Sequence, residues 1–536
     1  MTKLHDQMMI DRLADAAREG RISRRSFMNY SMAAGMTASA ATGLWGTSAK
    51  AEPKRGGTWR LAQHDGNSSD NHDPGTYLTF GMINLAHIYR SYLTQINPDQ
   101  TLGGDLATEW SATPDAREWT FKLADNANFH SAGKVTANDV IVSMNHHRGE
   151  TSTSAAKALL SDVAEIKDNG DNSITFVLNS PNADLPWLLT DYHIAICPAN
   201  DDGTMNWQSG DGSGPYKLID NEFGVRSYLE RHDGWHGEGA WFDAIEVLYI
   251  NDPNARQTAV VTGDVDSASQ MENKTLALLQ RDPNLEIDNV PSAAAVTMPM
   301  DTSQAPFDNA DVRMALKLAI NREELVEKIQ FGAATIGNDF HHSPAMPYFP
   351  ESIEQREYDP DQAKALLAKA GMEGLTVQLS TADAVTTGAV DAAVLYSEHA
   401  KAAGIDIQVL REPNDGYYSD VWMKKPWCMV QWGARPTPDV MYSLAYKDDA
   451  SWNETRWQNA RFNELLLQGK SELDDAKRAG IYTEMGQILR DDGGAVIPYF
   501  PNFVYARRKN VQHSGQLAAS WPMDGARAAH RWWFES

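Results

Sequence analysis

Residues 359–410 read DPDQAKALLAKAGMEGLTVQLSTADAVTTGAVDAAVLYSEHAKAAGIDIQVL, and this stretch decides the fold class. Asp359-Pro360 opens a helix, with Asp as N-cap and Pro in the first turn, and Gly371 stops it. Leu375–Ser380 then reads as a strand. A second helix, over roughly Val390–Ala403, stops at Gly404, and Ile405–Leu410 is again a strand. Helix, glycine and strand, twice in succession, specify an α/β lobe.

The same reading extends in both directions. Asp308 precedes a helix whose Val312, Ala315, Leu316, Ala319 and Ile320 form one apolar stripe. Asn321-x-x-Glu324 opens the next by a capping-box-like pattern. Helices near Phe462–Gln468 and Asp475–Arg490 follow, and Val496–Tyr505 returns to apolar strand character. Before about Met300 the pattern is strand-rich, with candidates at Thr58–Leu61, Trp119–Leu123, Ile174–Leu178, Ser227–Glu230 and Ile245–Ile250. Asp168-Asn169-Gly170-Asp171 lies between two alternating runs and reads as a hairpin turn; its carboxylates fit no EF-hand spacing. A strand-rich first part, an α/β second part and a strand-like tail imply a discontinuous first lobe. The chain would cross near Met300 and again near Pro498, and the cleft between the lobes is the default ligand site.

Composition narrows the function. The chain has 536 residues, 42% hydrophobic, with a formal charge of −25. Mean hydropathy of −0.47 argues against a polytopic membrane protein, and so acidic a chain is a poor partner for a polyanion, so nucleic-acid binding is not expected. Two cysteines exclude a disulfide scaffold or a cysteine-built metal centre; Cys197 and Cys428 could pair in an oxidising compartment. There is no CxxC, HExxH, CxxCH or nucleotide loop. Gly210-x-Gly212-x-Gly214 is followed by Pro215-Tyr216 where a helix should begin, and reads as a turn. No cofactor and no resident metal are expected.

The N-terminus carries Ser23-Arg24-Arg25-Ser26-Phe27-Met28, then an uncharged run from Ser26 to Ala49, then the small-x-small site Ala49-Lys50-Ala51. That order describes a twin-arginine signal peptide cleaved after Ala51. An uncleaved anchor is the other reading, set against a run that Gly, Ser and Thr leave weakly hydrophobic. Cleavage removes seven basic and four acidic residues and takes the charge from −25 to −28.

Six segments, in order, resemble one family. Gly56-Gly57-Thr58 opens the mature chain. Leu106-Ala107-Thr108-Glu109-Trp110 precedes Trp119-Thr120-Phe121-Lys122-Leu123. Phe129-His130-Ser131-Ala132-Gly133 precedes Thr136-Ala137-Asn138-Asp139-Val140. Gly212-Ser213-Gly214-Pro215-Tyr216, then Pro306-Phe307-Asp308 with Val312-Arg313-x-Ala315, then Ala363-Lys364-Ala365-Leu366-Leu367 to Ala370-Gly371, complete the set. Together they resemble the solute-binding protein family 5, the substrate-binding proteins of peptide, opine and nickel ABC importers. The resemblance implies a two-lobe, class II-like periplasmic binding protein fold of α/β type with an inserted subdomain. It divides the chain into signal peptide 1–51, lobe I over 52–300 plus 498–536 with an insert at about 85–199, and lobe II over 301–497. It implies a monomeric periplasmic protein, not an enzyme, that closes on a small polar solute. The partners would be an ABC permease with its ATPase and, before that, the twin-arginine export machinery.

The resemblance also suggests site residues. Thr79-Phe80-Gly81 resembles a ligand-contacting loop after the first strand. Gln431-Trp432-Gly433-Ala434-Arg435 stands where peptide-binding relatives carry G-W-x-x-D, whose Asp meets the peptide ammonium. Arg435 offers instead a planar fork suited to a carboxylate or a phosphate, unless Asp439 or another acid pairs it structurally. Trp432 and Trp452, within a dense aromatic segment, could enclose the apolar part of a ligand. His130 in this motif reads as a turn or core histidine, and His341-His342, in a proline-rich loop, as solvated. Two rivals share such a cleft: an exported hydrolase of peptides or glycans, and a ligand sensor for a membrane chemoreceptor.

Overall fold

The structure is a computed structural model and describes residues 53–535. The paired arginines and the cleavage site lie outside the described residues. Two sheets organise the molecule. The first has seven strands in the order Leu285–Val290, Phe503–Arg508, Ser267–Ala268, Thr58–Gln63, Ala244–Tyr249, Arg226–Arg231 and Tyr216–Glu222. Thr58–Gln63 runs parallel to both its neighbours, and the other pairings are antiparallel. The second sheet has the order Ala334–Ile336, Ala495–Pro501, Ala295–Pro299 and Val430–Trp432. Beside it, Thr376–Thr381 and Asp406–Arg411 pair in parallel. The two sheets, each with its helices, make a two-unit α/β architecture, as the resemblance implies.

The chain passes from the first sheet to the second after Val290 and returns at Asn502, the single residue between Ala495–Pro501 and Phe503–Arg508. The apolar tail, expected to carry the second crossing near Pro498, is two strands in two sheets, with the passage four residues later. Alternation could not reveal this, because both strands are buried on both faces and read as one continuous apolar run.

The second unit forms as its caps and stripes dictate. Asp359 accepts from the Gln362 N–H, Pro360 fills the first turn, and Gly371 ends the helix Pro360–Ala370 at φ 68°. The stripe of Ala310–Leu318 packs against that helix, with Val312, Ala315 and Leu316 fully buried. Asn309, the residue after Asp308, is its N-cap. Asn321 caps Arg322–Lys328, but the box is only half made. The Asn321 N–H donates to His399 Nδ1, while Glu324 serves Lys328 and His399. At the centre of this unit Asp339 is fully buried between Arg322 and Arg356. Burial acts to raise its pKa, but the two guanidiniums outweigh this and hold it below the usual carboxylate range.

A third core belongs to residues 93–196, where Ala107–Ala112, Glu118–Leu123, Ser173–Leu178 and Val163–Asp168 form an antiparallel sheet around Phe121, Phe176 and Val140. The Asp168–Asp171 segment is the hairpin turn that its sequence specifies. Two of the family-like motifs meet in space. The backbone N–H of His130 donates to Gly212 O at 2.8 Å, and its Nε2 donates to Gly214 O at 3.0 Å. Gly212 lies so close to the end of helix Phe80–Tyr89 that a Cβ there would stand 2.0 Å from Tyr89 O. His130 is thus a core histidine, and burial lowers its pKa to about 4.

One expectation is overturned. His341 and His342 are both fully buried, not solvated. His342 donates from Nε2 to Pro347 O, and the edge of His341 meets Trp432 with ring centres 5.8 Å apart. Cys197 and Cys428 are free and sit in separate cores. No helix among the described residues is long and apolar enough to cross a membrane.

Candidate ligand site

A cavity of about 300 Å³ lies between the two units. From the first it takes Gln100, Trp187, Asp191, Tyr192 and Trp521; from the second Arg435, Val440, Leu444 and Trp452.

Arg435 is placed by the turn that joins strand Val430–Trp432 to helix Pro438–Ala445. Thr437 caps that helix and Pro438 fills its first position, so residues 433–436 must turn sharply. The Arg435 side chain folds back, and Nη1 donates to Gly433 O at 3.2 Å and Ala434 O at 2.9 Å. Among the described residues nothing accepts from Nε or Nη2. Burial lowers the Arg435 pKa, against opposing effects of Asp191 and Tyr192. Asp191 is not in ion-pair contact with it; Asp191 Oδ1 accepts instead from the His193 N–H at 2.9 Å and lies 2.7 Å from His193 Nδ1.

Asp439 does not pair Arg435. It is 4% exposed on the first turn of helix Pro438–Ala445, and its Oδ1 has no hydrogen-bond partner among the described residues. Burial, and then the neighbouring Asp184, push its pKa up to about 7, against Lys470 and Arg478. Asp184 comes from the first unit and bridges to the second. It accepts from the Thr437 hydroxyl and from Arg478, and the adjacent Ala183 N–H donates to Lys470 O at 2.8 Å.

Of the aromatics singled out in sequence, Trp452 is 43% exposed and lines the cavity. Trp432 is buried behind it, with ring centres 6.0 Å apart. Glu454 holds it there: Oε1 accepts from Trp432 Nε1 and from Thr297 Oγ1, both at 3.0 Å, and Oε2 from Trp422 Nε1 at 2.6 Å. Burial raises the Glu454 pKa to about 6 against those three donors.

Thr79-Phe80-Gly81 is a helix start rather than a loop. Thr79 caps Phe80–Tyr89 by accepting from the Met82 N–H at 3.2 Å, and its hydroxyl donates to Asp70. A Cβ on Gly81 would meet Asp65 O at 3.0 Å. None of the three lines the cavity; Phe80 reaches Trp521, a lining residue, with ring centres 6.2 Å apart. The structure therefore brings Arg435 and Trp452 together on the cavity wall and sets Trp432 and Asp439 behind it. Sequence reasoning missed Trp187, Asp191, Tyr192 and Trp521. The first three sit in Leu185-Pro186-Trp187-Leu188-Leu189-Thr190-Asp191-Tyr192, an apolar run broken by one acid, and that acid was the available signal.

The profile of the Bacterial extracellular solute-binding proteins, family 5 Middle, matches residues 101–454. The chain is 22% identical over 450 residues to the dipeptide-binding protein of Escherichia coli K12, covering 76% of this chain and 82% of that one. Among solved structures, HbpA2 from Haemophilus parasuis superposes with a TM-score of 0.77 at 18% identity, over 87% of this chain and 99% of the other. The protein AgaA in complex with agropinic acid, from A. tumefacien R10, superposes with a TM-score of 0.68 at 19% identity, over 90% and 99%.

Proposed function

We propose that this chain, which belongs to the bacterial extracellular solute-binding proteins of family 5, captures a small carboxylate-bearing solute for an ABC importer. The observation that carries this reading is Arg435, a half-buried cation on the wall between two lobes with one edge of its guanidinium unbonded. A buried charge without a partner is costly, and a ligand carboxylate would offset that cost with two parallel hydrogen bonds. Dipeptide and opine ligands are named for relatives at low identity, and an opine-like carboxylate suits this wall. Capture without turnover is the proposed role. The lobes would be 52–300 with 498–536, and 301–497, with an insert at about 85–199, and the cleft would close about the two passages between them.

We further propose that Arg24-Arg25 direct the precursor through the twin-arginine pathway, with cleavage after Ala51 and release of a monomer to the periplasm. Replacing both arginines by lysine should leave precursor in the cytoplasm; undiminished export would point to the general secretory route. The solute itself is best approached by mass spectrometry of material released on denaturing the purified protein. A carboxylate-bearing compound supports the reading, and a released cation or neutral sugar contradicts it.

A further inference from the structure

The cavity carries a second unbonded charged group, opposite in sign to the first. Asp191 uses Oδ1 for both contacts with His193. Among the described residues nothing donates to its Oδ2, although its side chain is only 24% exposed. Asp191 and Arg435 belong to different units of the molecule and line the same cavity. They are near enough for the carboxylate to act on the guanidinium, yet they do not form an ion pair. Two opposite charges on the wall of one cavity, each with a free edge, present the complement of a dipolar ligand.

The remainder of the wall is of another kind. Fifteen of the twenty-two lining residues are apolar, with Trp187, Trp452 and Trp521 the bulkiest. A fully polar solute would leave this surface wet. The volume, about 300 Å³, stands at the lower end of the roughly 300–1,000 Å³ typical of ligand pockets. That suits a compact solute better than a long one.

Accepting the proposed capture of a carboxylate by Arg435, we infer that the solute is a compact amino-acid-like zwitterion carrying one bulky apolar group. Its carboxylate meets the Nε–Nη2 edge of Arg435, its ammonium meets Asp191 Oδ2, and its apolar group lies among the tryptophans. The ligand then links the two units by its own two charges, which makes closure depend on both. A simple anion of equal size would leave Asp191 unmet, and an amine would leave Arg435 unmet. Each would lose the hydrogen bonds of a half-buried ion.

The test is calorimetric titration of the purified protein with the L-amino acids Leu, Met, Phe, Tyr and Trp, each beside its des-amino acid and its decarboxylated amine. At least one amino acid should bind, with its des-amino analogue ten-fold or more weaker. In Asp191→Asn that amino acid and its des-amino analogue should bind alike. A des-amino acid that binds wild type as tightly as its parent overturns the role of Asp191 and leaves carboxylate capture by Arg435 standing. An amine that binds as tightly as its parent overturns carboxylate capture itself. Failure of all five amino acids overturns the apolar zwitterion. Because the ligand series is measured on wild type, a folding defect in Asp191→Asn, visible as a lowered apo melting temperature, does not shield the inference.

Discussion

Asp439 has its carboxyl buried beside that of Asp184, and burial with that neighbour pushes its pKa up to about 7 from an ordinary 3.8. A raised carboxyl pKa stabilises the fold fully below the unfolded value and loses that contribution as pH rises through the folded one. Wild type should therefore lose stability between about pH 4 and pH 7 at this site, and Asp439→Asn should not. At pH 8 the variant should melt no lower than wild type, by scanning calorimetry across that range. Wild type gaining stability over the variant as pH rises would contradict the buried neutral carboxyl. The site was half legible at this scale. Arg435 and Trp452 were visible in sequence as a departure from a motif and as part of an aromatic cluster. Asp191 was not, since its meaning comes from Arg435, far away in the chain. His341 and His342 were misread because proline-rich loops are usually solvated; here tertiary packing closes over the loop, and burial holds the His341 pKa at about 3.

Elements were the most legible level, because caps and stripes act within a few residues of themselves. Helix Ala137–His146 shows what a motif of the family does physically. Thr136 accepts from the Asp139 N–H while Asp139 Oδ2 accepts from the Thr136 N–H at 2.8 Å, a complete capping box. Asp139 Oδ1 also accepts from the Ala199 N–H at 2.8 Å, so the box ties the helix to the backbone at Ala199. Thr136→Ala should cost about 0.5–2 kcal/mol by urea denaturation, and a neutral result would mean that Asp139 alone holds this end. The register of helix, glycine and strand over residues 359–410 was readable for the same local reason. The passage at Asn502 was legible only roughly, as a crossing near Pro498; its exact point is set by partners at Ala295–Pro299 and Leu285–Val290.

For the whole molecule, the bridge from Asp184 to Thr437 and Arg478 joins the two units close to the ligand wall, since Thr437 lies two residues beyond Arg435. The proposed ligand contact of Arg435 and the inter-unit contact thus share one turn. Small-angle scattering should show compaction on addition of the released solute, and a tight solute that leaves the dimensions unchanged would argue against hinge closure. The most direct test of the account is the affinity of that solute for Arg435→Ala, read by calorimetric titration beside the apo melting curve. A cation that meets the ligand carboxylate predicts a loss of about 2–5 kcal/mol with little change in apo melting. An unchanged affinity, with or without a lowered melting temperature, would contradict it.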